Sequence, residues 1–212
     1  MAALLPLLVP VSPAHAPGLP EGGAAAPLTE RLPAGRVLEV CCRAASGWTS
    51  TAAAFARHHQ AEGEIPVWIQ PAGGALYPPD LAGAGVDLTS LVVVHVPDRA
   101  GPNGLARAAE LLLRSGAFGL VVVDLTAGLP RGQAWQGRLA GLALRHRCQL
   151  VLLTAEPASR GSAGPLVWLR IRPHIERRGP GRFVIEHEVL RDRSGRLGDP
   201  APARYIGPVG LR

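Results

Sequence analysis

The feature that most constrains the fold is a regular alternation of short apolar runs with helical patterns. Such alternation is typical of a mostly parallel β-sheet flanked by helices, because each strand is followed by a right-handed crossover helix. After residue 154 the pattern changes, and two runs joined by a polar turn predict antiparallel C-terminal strands. We therefore predict an α/β fold. The predicted parallel strands are 37–42, 65–70, 91–96, 120–124 and 150–154, the main helices are 50–62, 103–115 and 133–146, and the antiparallel strands are 166–171 and 182–190.

A short loop after the first predicted strand has the spacing of a nucleotide phosphate-binding loop. The pattern is Gly, four residues, then Gly-Lys-Ser/Thr, and here Gly47 and Thr49 keep their places. Cys42 stands at the first glycine and Trp48 at the lysine. A tryptophan supplies no ammonium between two phosphates, and its indole competes for the same space. We therefore predict a degenerate nucleotide site that is blocked by Trp48.

The buried run of residues 120–124 ends in Asp124. An aspartate at the carboxyl end of a parallel strand is the residue that holds magnesium in phosphate-transfer sites. The alternative is that Asp124 only caps the next turn. Gly47, Thr49 and Asp124 are thus the candidate cofactor-binding residues, but we expect no bound cofactor, no metal and no catalytic residue. The chain is predicted not to be an enzyme. The alternative is a weak ATPase in which Arg43 takes the place of the lysine.

Positive charge is concentrated in the last third of the chain. All 22 basic residues are arginine, and from Arg145 onward 13 arginines face six acidic residues. Such a field suits nucleic acid or an acidic protein partner, although an exposed arginine-rich edge can also serve to resist strand pairing. The densest group, predicted to be the surface for DNA or a partner, is Arg170, Arg172, Arg177, Arg178 and Arg182.

The two ends of the chain differ in composition from its middle. Residues 1–33 are rich in Pro, Ala and Gly, and we predict a flexible arm that forms neither a helix nor a strand of the core. The domain itself is expected over 34–195, and 196–212 is expected to be a C-terminal tail.

The first 16 residues resemble an export signal, because they are apolar and end in Ala14-His15-Ala16. No basic residue precedes the apolar run, however, and three prolines interrupt it. The three cysteines show no metal-binding spacing and fit small buried thiols in a reducing compartment. No run reaches membrane-spanning length without Pro or charge. We expect a cytoplasmic protein with no membrane contact.

The order of these elements resembles the core of the RecA family. The resemblance covers roughly residues 32 to 193. It is carried by Leu32-Pro-Ala-Gly-Arg-Val-Leu-Glu-Val40, by Ala45-Ser-Gly-Trp-Thr49, by residues 68–78 with 85–93, and most closely by Leu113-Arg-Ser-Gly-Ala-Phe-Gly-Leu-Val-Val-Val-Asp124. The family's catalytic glutamate should lie around residues 71–74, where this chain has no acid. Its two DNA-binding loops survive only as residues 129–134 and 155–164.

This set of departures is similar to the ImuA group of small RecA-like proteins, which are also related to SulA-like inhibitors of cell division. The resemblance implies a role in translesion synthesis during the DNA-damage (SOS) response. The implied partners are an ImuB-like polymerase homologue and RecA, and direct binding of DNA is left open. The expected function is therefore a RecA-like accessory protein that does not hydrolyse nucleotide and bridges RecA or DNA to a translesion polymerase complex. A SulA-like division inhibitor is the alternative.

Overall fold

A computed structural model gives the conformation of most of the chain. No helix among the residues it describes is long and apolar enough to cross a membrane. The residues described are 9–10, 28–42, 46–74, 76–155, 162–180, 182–195, 200 and 202–206.

The described residues contain nine strands and five α-helices. The strands are β1 (Val9–Pro10), β2 (Val37–Cys42), β3 (Pro66–Pro71), β4 (Val92–Val96), β5 (Leu120–Leu125), β6 (Gln149–Ala155), β7 (Leu169–Gly179), β8 (Arg182–Asp192) and β9 (Ala203–Ile206). The helices are α1 (Leu28–Arg31), α2 (Trp48–Ala61), α3 (Pro78–Gly83), α4 (Gly101–Ser115) and α5 (Ala134–His146).

All nine strands form one sheet in the order β1-β9-β8-β7-β2-β6-β5-β3-β4. The six strands from β7 to β4 run parallel to one another, and the strands on the other side of β7 pair antiparallel. The predicted fold class, a mostly parallel sheet flanked by helices with antiparallel C-terminal strands, is confirmed. The prediction placed the end of β7 at Ile171, whereas the strand continues to Gly179 and forms a long hairpin with β8.

The sheet is covered by a separate hydrophobic cluster on each face. On one face, side chains of α2 such as Phe55 pack on Leu38 and Val40 of β2. On the other face, Leu105 of α4 and Leu139 of α5 pack on alternate residues of the central strands. Alternation along each strand thus decides which side chains meet α2 and which meet α4 and α5.

Helix α4 shows how the spacing of apolar residues predicts a helix with one buried face. Leu105, Ala109 and Leu113 recur at helical spacing and are almost fully buried. The helix stops at Gly116, whose φ of 69° is the left-handed conformation that glycine adopts without steric cost. The predicted helix and its stop are both present.

The structure differs from the expected arm at residues 28–33. Helix α1 occupies Leu28–Arg31, and Leu28 and Leu32 are each 5% exposed within the cluster beneath α2. Near the other end of the predicted arm, Val9–Pro10 pairs with β9. Two leucines at helical spacing thus bring packed structure into a segment that its proline and glycine content had assigned to an arm.

All three cysteines are free and buried. Burial raises the pKa of Cys148 from 9.0 to about 12. The pKa of Cys42 is also raised, first by burial and then by the negative charge of Asp124. In both cases the uncharged thiol is favoured, so these side chains act as small packing groups.

The buried position of Leu32 leads to a stability prediction. Leu32→Ala removes a buried side chain from the cluster beneath α2, and should lower the free energy of unfolding by on the order of 2–4 kcal/mol. Leu111→Ala is the matched control, because Leu111 is 54% exposed on α4. Its effect should stay within about 0.5 kcal/mol. Urea unfolding of the three proteins measures both values, and equal midpoints for Leu32→Ala and wild type would show that this segment does not support the fold.

Candidate functional site

The carboxyl ends of the parallel strands meet the start of helix α2, which is where α/β folds place their ligands. Gly47 precedes the helix with a φ of 79°. Its carbonyl accepts hydrogen bonds from the backbone N–H of Thr51 at 2.9 Å and from the Thr51 hydroxyl at 3.0 Å. A Cβ at this position would lie 2.7 Å from Cδ1 of Ile185. Backbone conformation and close packing therefore both require glycine here.

The two residues that follow Gly47 were predicted to define the nucleotide site. Trp48 is partly buried and packs against the hydrophobic cluster on the α2 side of the sheet. Thr49 is partly exposed in the first turn of the helix. Arg43, the suggested substitute for the lysine, lies outside the described residues. The role of Trp48 as a block remains a prediction.

Asp124 lies on the same side of the sheet as α2. It is 6% exposed, and its Oδ1 accepts hydrogen bonds from the backbone N–H of Thr126 at 3.0 Å and from the Thr126 hydroxyl at 2.5 Å. This is the arrangement in which the carboxylate caps the next turn. Because its charge also raises the pKa of Cys42 at the end of β2, its field reaches the strand that leads into the loop.

A buried amide lies just before residues 71–74, the segment in which the sequence lacks an expected glutamate. Gln70 is 2% exposed, and its Oε1 accepts a hydrogen bond from the backbone N–H of Leu76 at 3.3 Å. A Cβ on Gly74 would lie 2.4 Å from the same oxygen. Gln70 therefore holds the turn after β3 closed, a role that the sequence alone did not indicate.

The hairpin of β7 and β8 packs directly on the start of α2. Ile175 and Ile185 approach Gly47, and Nε2 of His187 lies 3.0 Å from the Thr51 hydroxyl. His187 is 8% exposed, and burial lowers its pKa from 6.5 to about 4, so the ring is neutral. Within the described part of the chain, Nδ1 of this ring has no hydrogen-bond partner.

The sequence also did not single out Glu39, a carboxylate buried on the other face of β2. It is 1% exposed, and it accepts hydrogen bonds from the hydroxyl of Thr154 at 2.9 Å, the hydroxyl of Ser162 at 2.7 Å and the backbone N–H of Ala163 at 2.9 Å. Nε of Arg170 lies 3.5 Å away. Such a partner set satisfies a buried charge. The only sequence signal was a lone glutamate within an apolar run.

The five arginines of the predicted binding surface lie in two different environments. Arg170 is 15% exposed beside Glu39, and Arg172 pairs with Glu188 at 2.7 Å. Both lie in the body of the sheet, away from the tip of the hairpin. At the tip, Arg177, Arg178 and Arg182 are exposed. Arg178 also lies 2.7 Å from Glu176. A binding role for the tip remains a prediction.

Together these elements form an α/β fold. Helix α2 begins after a loop that resembles a phosphate-binding loop, and Asp124 lies near the end of strand β5. The model of the RecA N-terminal domain family matches residues 25–151, which is more than half of the chain. The chain therefore belongs to the RecA N-terminal domain family.

Individual relatives agree with this assignment. Protein RecA of Frankia alni is 37% identical over 142 residues, covering 62% of this chain and 38% of that protein. Protein RecA of Mycobacterium marinum is 40% identical over 103 residues, covering 48% of this chain and 29% of that protein. The chain thus spans about a third of the length of these curated relatives. A crystal structure of the RadB recombinase shares the fold, with a TM-score of 0.60, 18% identity, and coverage of 82% of this chain and 88% of that one.

The prediction that the chain is not an enzyme is wrong on these comparisons, because its relatives are RecA proteins. That prediction relied on Trp48 and on the missing glutamate. Structurally, the indole of Trp48 contacts the core. Helix starts bind phosphate mainly through backbone N–H groups, which a side-chain substitution does not remove.

The neutral state of His187 predicts a pH dependence of stability. Below about pH 6.5 the unfolded chain takes up a proton that the folded chain resists until about pH 4. The free energy of unfolding should therefore fall as the pH drops through this window, by up to about 3 kcal/mol from this one group. His187→Gln removes this component, and the exposed His95→Gln keeps it. Urea unfolding at several pH values measures the slopes, and parallel curves for wild type and His187→Gln would contradict the assignment.

Proposed function

We propose that this chain is a RecA-like accessory protein of the DNA-damage response. In this role it resembles ImuA proteins and bridges RecA or DNA to a translesion polymerase complex that contains an ImuB-like polymerase homologue. Membership of the RecA N-terminal domain family supports a function connected with recombination and repair. The observation that carries the bridging role is the arginine tip of the hairpin of β7 and β8, where three exposed arginines lie close together in the chain.

The tip of the hairpin presents concentrated positive charge. Arg177, Arg178 and Arg182 lie within six residues of chain around the turn, and all three are exposed. Their guanidinium groups suit phosphates or the carboxylates of a partner equally well. We favour a protein partner, because the two segments that correspond to the DNA-binding loops of RecA are short in this sequence.

Reversing the charge at the tip tests this proposal. Arg177→Glu with Arg178→Glu should abolish binding to RecA or to the polymerase homologue in a pull-down, because two guanidinium groups become carboxylates at the contact. Binding of a labelled single strand, followed by fluorescence anisotropy at two salt concentrations, should stay within about twofold of wild type. Arg57→Glu with Arg99→Glu is the control, since both are exposed and the net charge changes equally.

The other outcomes of this experiment are equally decisive. Loss of single-strand binding with a flatter salt dependence would assign the tip to a phosphate backbone. If the tip variant and the control bind every probe alike, the tip has no binding role and the bridging proposal fails.

A second candidate function is nucleotide hydrolysis at the start of α2. It is favoured by the position of Asp124, which lies at the carboxyl end of β5 on the same face as α2. Asp124 could hold a magnesium ion that accompanies the phosphates, while the backbone N–H groups after Gly47 hold the phosphates themselves.

If this site hydrolyses ATP, Asp124→Asn should lower phosphate release at least about tenfold, because the metal loses its anionic ligand. Thr126→Ala serves as the matched variant, because it removes the one hydrogen bond from the Thr126 hydroxyl to Asp124 and keeps the carboxylate. A steady-state phosphate-release assay with magnesium measures the rates. Turnover that Asp124→Asn leaves unchanged would remove this site from consideration.

A further inference from the structure

The groove between α4 and α5 is lined by arginine on both sides. Cavities of about 480 Å³ and 380 Å³ lie along it. Both helices cover the face of the sheet opposite to α2, so the groove is separate from the site at Gly47. We call it the arginine groove, defined by Arg107, Arg114, Arg131, Arg138 and Arg145.

The charge in this groove is not balanced. Glu110 is the one acidic residue among those that line the two cavities, and its side chain is 8% exposed. It lies 2.7 Å from Arg114, 3.3 Å from Arg138 and 3.4 Å from Arg107. One carboxylate thus serves three guanidinium groups, whose side chains remain 55–63% exposed. The buried glutamate positions these arginines, and their remaining hydrogen-bond donors are available to a ligand.

The arginines form two rows along the groove. Arg107 and Arg114 are seven residues apart on α4, and Arg138 and Arg145 are seven apart on α5. Seven helical residues advance about 10 Å, and an extended segment covers the same distance in about three residues. Acidic side chains three residues apart on an extended segment would therefore meet successive arginines of a row.

Apolar side chains form part of the floor of the groove. Ala106 and Leu139 line it together with Trp135, which is only 5% exposed. With its ring buried, Trp135 offers no face on which a nucleic-acid base could stack. These apolar groups favour a protein segment over a phosphate backbone.

We propose that the arginine groove binds an acidic, leucine-containing segment of a partner protein. The net charge of +6 on this chain disfavours a second copy of it as the occupant. Carboxylates of the segment pair with the exposed guanidinium groups, and its leucines cover the apolar side chains on the floor of the groove. This interaction depends neither on nucleotide at α2 nor on the tip of the hairpin.

Charge reversal away from Glu110 tests the proposal without disturbing the buried cluster. The variant is Arg131→Glu with Arg145→Glu, since both residues are exposed and neither contacts Glu110 in the described structure. Arg57→Glu with Arg193→Glu is the control of equal charge. The probe is a fluorescein-labelled peptide of about four Glu-Glu-Leu repeats, long enough to span both arginines of a row. Its Kd, measured by anisotropy at physiological salt, should rise at least tenfold in the groove variant and stay within twofold in the control.

Two further probes separate this proposal from simpler electrostatics. A peptide of the same length in which serine replaces leucine should bind wild type at least several-fold more weakly, because the apolar floor gains nothing from it. A labelled oligothymidine should bind the groove variant and the control alike. Equal affinity of the leucine and serine peptides, or equal peptide binding by the groove variant and the control, would overturn the proposal. Selective loss of oligothymidine binding in the groove variant would do so as well, by making the groove a nucleic-acid site.

Discussion

The buried carboxylate of Glu39 joins the two parts of the sheet. Strand β2 lies between β6, which belongs to the parallel part, and β7, which leads into the antiparallel hairpin. Glu39 accepts a hydrogen bond from Thr154 on β6 and lies 3.5 Å from Nε of Arg170 on β7. A charge at this depth is tolerated only with a full set of partners. Through its bonds to Ser162 and Ala163, this one group also fixes that segment against the junction of β6 and β7.

The sheet also keeps two surfaces apart. On one face, the start of α2 touches the hairpin through Gly47 and Thr51, so a ligand there would adjoin Ile185 and His187 directly. On the other face, α4 and α5 enclose the arginine groove over a cluster of their own. Because the strands between the two clusters are close-packed, a partner could occupy one face while the other stays accessible.

How far the sequence could predict this structure depended on the kind of signal. Buried strands and helix α4 were predictable because burial leaves a periodic apolar pattern that needs no knowledge of neighbours. Asp124 could be placed at the end of its strand for the same reason. Pairing of charges was not predictable: Arg170 and Arg177 look alike in sequence, yet one lies beside a buried glutamate and the other lies exposed at the tip.

Two structural features were not predicted from the sequence, for different physical reasons. Residues 28–33 were assigned to the arm because their surroundings are rich in proline and glycine, but burying Leu28 and Leu32 outweighs the cost of ordering a single helical turn. Trp48 was judged from the ammonium that it lacks and from the space that its indole occupies, and its role as a block stays a prediction. Its contact with the core could not be foreseen, because it depends on a hydrophobic cluster assembled from strands far apart in the chain.

The burial of the cysteines has a practical consequence for spectroscopy. The thiolate is the form that reacts with maleimides and spin labels, and the raised pKa values of Cys42 and Cys148 suppress it in the folded protein. Cys41 is shielded by burial. A cysteine introduced at an exposed point, on the hairpin tip or beside the arginine groove, would therefore take up a probe selectively without replacement of the native thiols. Distances from such probes to a labelled partner can then be measured on the otherwise unaltered chain.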